Sequence, residues 1–209
     1  FICAVARQCG QAIQRARLYE AERAARAEAE AARERLTFLS EAATQLTSSL
    51  EYGDTLNTVA RVAVPRFADY SLLFLLREDE AIELAEVTHL EPERRAALLQ
   101  LLNDFPLDPT QAVGAPWALR TGSSEFVPDF TDEVISAHGR GPEYQERLRS
   151  FGFTSRIVVP LRARGRTFGA LGLLQAESGR RFTRDDLALA EELGWRAAVA
   201  IDNARLFAE

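Results

Sequence analysis

The fold is decided by residues 155–175, SRIVVPLRARGRTFGALGLLQ. Residues 156–161 and 168–174 are apolar runs of strand length, and a short turn separates them. Two such runs around a tight turn predict an antiparallel pair of strands. Pro160 has no N–H to donate to a ladder, so we expect it at a bulge or at an unpaired edge of its strand.

Working outward, the same reasoning predicts three further strands and several helices. The strands are expected at residues 69–76, 82–88 and 125–127. Helices are expected after Asp54 as N-cap and at residues 92–103, 117–121, about 131–138, about 142–150, and from a Thr183–Asp186 capping box onward. Hairpin-connected strands with helices at both ends of the chain indicate an α+β fold, an antiparallel sheet with helices packed on one face.

The first fifty residues predict a long helix, because they contain no proline and only one glycine, Gly10. From Leu18 onward a seven-residue register can be counted, with an apolar column that includes Leu18, Leu39 and Leu46. Alternating spacings of four and three are typical of a parallel two-helix coiled coil. The contact residues on this interpretation are Leu18, Leu36, Leu39, Leu46 and Leu50. A charged single-helix spacer is the alternative, since Ala and Glu fill much of the seam.

A helical phrase near the start returns near the end. Residues 12–19 (AIQRARLY) are echoed at 200–207 (AIDNARLF), displaced by 188 residues and identical at five of eight positions. The distance between the two copies indicates the length of one repeated structural unit. We therefore expect residues 1–20 to be the exit helix of an upstream unit of the same kind, with Ile201 and Leu206 in the matching relay helix at the end of this one.

Composition narrows the classes of function. The chain is 47% hydrophobic, carries a net charge of −6, and all of its 25 basic residues are arginine. No basic block stands out, which argues against nucleic acid as a partner. No apolar run is long enough to span a bilayer. Cys3 and Cys9 are too far apart on a helix to bridge, so we expect a reducing compartment, the cytoplasm.

Several segments together resemble the GAF domain over residues 37–207. They are Ser155-x-x-Val158-Val159-Pro160-Leu161, Gly165-x-x-x-Gly169-x-Leu171-x-Leu173, Phe182-Thr183 with Asp185 or Asp186 and Leu187, Ala200-Ile201-x-Asn203-Ala204-x-Leu206, and Ala118–Gly122 followed by Phe126–Asp129. The resemblance implies a six-stranded antiparallel sheet with a helix bundle on one face, parallel dimers through that bundle, and a ligand pocket on the other face. It divides the chain into a signalling helix, 1–50, and a GAF domain, 51–209.

Departures from better-known branches of that family limit the chemistry. No cysteine follows Cys9, so covalent bilin attachment is excluded, and so is the thiol chemistry of GAF-fold methionine sulfoxide reductases. The Asn-Lys-Phe-Asp-Glu signature of cyclic-nucleotide binders is missing. His89 and His138 are the only histidines, and a lone histidine is a weak basis for haem. We predict no cofactor, no metal site and no enzymatic activity in this segment.

What remains is a concave site between the sheet and the 104–150 loops. Its expected apolar lining is Tyr70, Phe74, Trp117, Phe126 and Phe130, with Thr88, Arg120 and His138 as polar contacts. The same aromatic residues could instead fill the site and leave a collapsed domain that binds nothing. The sequence therefore predicts a homodimeric sensory module that relays a small-molecule signal to an effector domain, such as a histidine kinase or a PP2C-type phosphatase. A ligand-free relay module is the alternative.

Overall fold

A computed structural model of the chain describes residues 2–48 and 51–208. The chain forms two compact units, one ending at Glu41 and the other beginning at Ala42. The elements are α1 (Ile2–Leu46), α2 (Tyr52–Arg61), β1 (Tyr70–Leu76), β2 (Ile82–Thr88), α3 (Pro92–Asp104), α4 (Gly114–Thr121), β3 (Glu125–Val127), α5 (Asp132–Ser136), α6 (Pro142–Ser150), β4 (Ser155–Ala163), β5 (Arg166–Gln175) and α7 (Arg184–Ala208).

The long N-terminal helix is present as α1. Leu18 and Leu36 are 65% and 69% exposed, and Leu39 is half-buried. Leu50 lies outside the described residues, as do the side chains of Cys3 and Cys9. The helix is therefore observed, while its pairing with a second chain stays a prediction.

The second unit is built on an antiparallel sheet with strand order β2-β1-β5-β4-β3. Within the described residues it has five strands, the number that the strand signals predicted and one fewer than the resemblance implied. A bulge falls between Leu161 and Arg162 of β4. Pro160 immediately precedes it, at a point of β4 beyond the three residues paired with β3. Both observations agree with the expected position of this proline.

Helices cover both faces of the sheet, rather than one as we expected from the sequence. Helices α2 and α7 pack on one face, and α3 to α6 lie over the other. Strand alternation separates the two cores. On β4, Ile157 and Val159 face α7, while Arg156 and Val158 face the second core. The central strands are buried on both faces, which explains why their sequences are almost continuously apolar.

The start of α7 is the predicted capping box. Asp186 Oδ2 accepts from the N–H and the hydroxyl of Thr183, each at 2.7 Å. Farther along, Gly194 lets the helix approach β4, because a Cβ added there would lie 2.7 Å from Val159 Cγ2. The predicted N-cap of α2 was wrong. That helix begins at Tyr52 and includes Asp54 in its first turn, where a carboxylate favours the helix dipole without capping it.

Candidate functional site

A small cavity lies between the sheet and helices α3 to α6. Its volume is about 80 Å³, roughly half that of an engineered 150 Å³ cavity that binds benzene. Leu72 of β1 and Gly172 of β5 form its floor, and Leu98, Leu101 and Tyr144 are among the side chains that cover it. A Cβ on Gly172 would only touch Leu72 and Phe74 at 3.8 Å, so the glycine leaves open space above the sheet. The cavity therefore suits a small, mostly apolar molecule.

Of the side chains that the structure describes around this apolar space, one is charged, that of Arg156. Arg156 is 6% exposed. Its Nη1 lies 2.9 Å from His138 Nε2, and its Cζ lies 5.2 Å from the centroid of the Phe130 ring. Nη2 lies 2.8 Å from Glu125 Oε2. An ion pair this deeply buried has lost its hydration, so it is stable only when its hydrogen bonds are well made.

The Arg156–Glu125 pair does not meet that condition. Arg156 Nε and Nη2 and Glu125 Oε2 are all buried without a hydrogen-bond partner, so the 2.8 Å contact lacks hydrogen-bond geometry. The other carboxylate oxygen, Oε1, accepts from the N–H of Gly114, at the first residue of α4, at 3.0 Å. Glu125 thus connects β3, β4 and the start of α4, but leaves two guanidinium nitrogens unsatisfied.

His138 completes the polar end of the cavity. Its Nδ1 lies 2.9 Å from the carbonyl oxygen of Val134, which requires the proton on Nδ1, and its Nε2 accepts from Arg156. Burial first, and then the charge of Arg156, lower the pKa of His138 from 6.5 to about 4. The imidazole is therefore neutral at pH 7 and acts as an acceptor that orients the guanidinium.

Three of the eight predicted pocket residues line this cavity, namely Phe74, Phe130 and His138. Tyr70 belongs to the same buried core without lining the cavity. Its ring packs against His89 at 4.1 Å and edge-on against Phe153 at 5.3 Å, measured between ring centroids. It supports the cavity wall from behind.

The other four lie elsewhere, for reasons of register and exposure. Thr88 pairs with Ser71 and Phe126 pairs with Ile157, both on the α2/α7 face of the sheet. Trp117 packs at the border of the core without lining the cavity. Arg120 is exposed and donates to backbone carbonyls of the loop before α4, at 2.7 and 3.0 Å. It braces that loop instead of contacting a ligand.

His89, considered above as a haem ligand, does not line the cavity. Its Nδ1 accepts from the N–H of Glu91 at 2.9 Å, so its proton lies on Nε2, which faces the Glu177 carboxylate. Both ring nitrogens are thus engaged in structural contacts.

Sequence reasoning missed Arg156 and Glu125. The available signal was an arginine inside an apolar strand, two residues from Val158 and so on the same face. Nothing local identifies its partner, because Glu125 is brought to it only by the pairing of β3 with β4.

The predicted relay residues divide into two groups. Leu46 and Ile201 are buried core residues, 3% and 1% exposed, so they are not available as a seam between chains. Leu206 is 44% exposed, and its role as a contact between chains stays a prediction. Trp195 and Val199 of α7, 57% and 39% exposed, were not singled out from the sequence.

The described residues offer neither a membrane-spanning helix nor a metal site. No helix in residues 2–48 or 51–208 is long and apolar enough to cross a membrane. Across those same ranges, no three His, Cys, Asp or Glu side chains are grouped to hold a metal ion.

The fold defines the class of protein, an α+β domain with a five-stranded antiparallel sheet covered on both faces. A family model described as the GAF domain matches residues 51–201. The chain therefore belongs to the GAF family, whose members are regulatory and sensory modules.

Solved structures share this fold at low sequence identity. A GAF domain from a phosphoenolpyruvate-protein phosphotransferase of Coxiella burnetii is 18% identical, with a TM-score of 0.61, over 83% of this chain and 96% of that one. A GAF domain/HD domain protein from Geobacter sulfurreducens is 18% identical, with a TM-score of 0.57, over 79% and 99%. The free methionine-R-sulfoxide reductase of Neisseria meningitidis, in complex with its substrate, is 19% identical, with a TM-score of 0.57, over 83% and 91%.

Proposed function

We propose that residues 51–209 form a non-catalytic sensory domain that binds a small molecule in the β1–β5–β4 cavity and relays its occupancy through α7. Residues 1–50 would be the signalling helix, and an effector such as a histidine kinase or a PP2C-type phosphatase would receive the signal in the cytoplasm. One observation carries the proposal, the alternation of β4 between the cavity and α7.

That alternation couples the two faces through a single strand. Arg156 and Val158 line the cavity, and the intervening Ile157 and the next residue, Val159, are buried under α7. Gly194 lets α7 pack so close to β4 that no space is left between them for a side chain at position 194. Because the packing is close, a displacement of β4 by a ligand would be passed to α7 rather than absorbed.

A non-catalytic role is proposed despite the reductase among the structural neighbours. At 19% identity that likeness concerns the fold, and this chain has no cysteine in the segment matched by the family model. Thiol chemistry would require a cysteine there.

We also propose a parallel homodimer, with α7 as one of its contacts. Trp195, Val199 and Leu206 are exposed and spaced by four and seven residues, which puts them on one stripe of the helix. Replacing Trp195 with Glu should shift sedimentation toward monomer. Replacing the exposed Leu90, which lies outside α7, with Glu is the matched control. Equal sedimentation of both variants and the parent would refute this contact.

Ligand binding is tested by thermal stabilisation. Small amino acids and short-chain metabolites are screened for a concentration-dependent rise in melting temperature, since a ligand that binds only the native state stabilises it. Gly172→Val puts two methyl groups at the cavity floor and should abolish any rise, while Gly53→Ala, whose new Cβ would have no neighbour within 4 Å, should keep it. A rise that survives Gly172→Val would place the ligand outside this cavity.

A ligand-free relay module is the second candidate. The cavity volume favours it, because about 80 Å³ is well below the roughly 300–1,000 Å³ of ordinary ligand pockets. The thermal screen described above distinguishes the two candidate functions, because a ligand-free module would gain no stability from any of the compounds.

A further inference from the structure

The polar wall of the cavity has a charge of one sign. Arg156 is the charged group among the described residues that line it, since His138 is held neutral and Glu125 is not one of the lining residues. The rest of the wall near the sheet is aliphatic or aromatic, including Leu72 and Val158. An occupant with an apolar body and one negative group would match both parts.

The guanidinium also has a hydrogen-bonding edge that the protein leaves unused. Nη1 donates to His138, but Nε and Nη2 have no hydrogen-bond partner. Nε–H and one Nη–H of an arginine point in parallel, and they match the two oxygens of a carboxylate. Phe130 stacks on the guanidinium and helps fix its plane, so the direction of this edge is set in advance.

Glu125 approaches this edge without completing it. Its Oε2 reaches Nη2 at 2.8 Å without hydrogen-bond geometry, because Oε1 of the same carboxylate is held by the N–H of Gly114. A free carboxylate has no such tether and could bind both nitrogens at once. The internal carboxylate is therefore a poor substitute that a better-placed one can displace.

We infer that the cavity binds a small aliphatic monocarboxylate, which replaces Glu125 on Arg156 and lays its chain against the leucines. This assignment rests on the proposed function, because it requires the cavity to be a ligand site. Displaced Glu125 would no longer join β4 to the start of α4, so binding would loosen the β3–α4 edge. The volume, roughly half that of the cavity that accepts benzene, limits the ligand to about three or four non-hydrogen atoms.

The test compares three probes of similar size and different charge, namely acetate, acetamide and ethylamine. Dissociation constants are measured by calorimetry on the parent chain and on Glu125→Gln, which keeps an acceptor for Gly114 but removes the competing charge. Glu86→Gln is the matched control, because Glu86 of β2 pairs with Arg95 of α3 and does not line the cavity. Acetate should bind the parent at least tenfold more tightly than acetamide. Glu125→Gln should bind acetate at least tenfold more tightly again, and Glu86→Gln should bind it as the parent does.

Arg156→Met should lose the preference for acetate. Because that variant leaves Glu125 buried and unpaired, circular dichroism checks that it folds; if it does not fold, the binding data for Glu125→Gln decide the outcome. Equal binding of acetate and acetamide would overturn the carboxylate assignment while leaving the cavity as a ligand site. Binding of none of the three probes, even by Glu125→Gln, would also overturn it, and the metabolite screen decides the proposed function separately.

Discussion

The contact between α7 and β4 gives the sharpest stability prediction. Gly194→Ala adds a methyl group 2.7 Å from Val159 Cγ2, a distance that van der Waals contacts do not allow. Val159 is 1% exposed and β-branched, so it cannot move aside at low cost. Alanine gains about 0.8–1 kcal/mol over glycine within a helix, and overpacking a core costs about 1–3 kcal/mol. The net expectation is a loss of about 0–2 kcal/mol.

Gly53→Ala supplies the reference for this prediction. Gly53 is in the first turn of α2, and a Cβ there would have no neighbour within 4 Å, so the helix gain of about 0.5–1 kcal/mol should appear without a clash. The two Gly→Ala variants should therefore differ by about 1–3 kcal/mol in the free energy of unfolding. Urea titrations of both variants and the parent, followed by circular dichroism, measure the difference.

A double-mutant cycle then identifies the clash as the cause. In a Val159→Ala background the offending methyl group is gone, so Gly194→Ala should become stabilising by about 1 kcal/mol. If Gly194→Ala changes stability equally in both backgrounds, or stabilises the parent as much as Gly53→Ala does, the close approach of α7 to β4 is not as described.

Three further predictions concern the cavity and its strands. The pKa of His138 is lowered to about 4, so between pH 4 and 6.5 the unfolded chain binds more protons than the folded one. The free energy of unfolding should therefore fall by up to about 3 kcal/mol as the pH drops through that window. Urea titrations at stepped pH measure this loss, and His138→Gln should remove it. Arg156→Met should lower the free energy of unfolding by about 3–5 kcal/mol, because it leaves Glu125 unpaired. The Arg156→Met/Glu125→Met double variant should recover most of that loss. A double variant as unstable as the single one would contradict the pairing. Gly169→Ala would put a Cβ 2.8 Å from a backbone oxygen of β1, whereas Gly172→Ala meets only ordinary contacts, so thermal melting should separate a destabilised variant from a near-neutral one.

Most elements of the fold could be predicted from the sequence, because the signals are local. The β4–β5 hairpin needs only two apolar runs and a turn, and the Thr183–Asp186 capping box needs two residues three apart. The start of α2 was misplaced, since Asp54 favours a helix N-terminus equally well from inside the first turn.

The site was harder to predict, because it depends on pairing between distant segments. Phe126 was assigned to the cavity, but its register with Ile157 puts it on the opposite face, and a shift of one residue would have reversed this. Arg156 left one local signal, an arginine inside an apolar strand, but its partner Glu125 is brought to it only by the pairing of β3 with β4. Thr88 was misplaced for the same reason, through its register with Ser71.

The alternation along β4 has a consequence for how such a domain can diverge. Even-numbered positions 156 and 158 face the ligand cavity, and odd-numbered positions 157 and 159 face α7. On the proposed function, substitutions at even positions would alter which molecule is recognised and keep the contact with α7. Substitutions at odd positions would alter the output and keep recognition. A sensory domain built in this way would let specificity and response evolve separately, one residue apart.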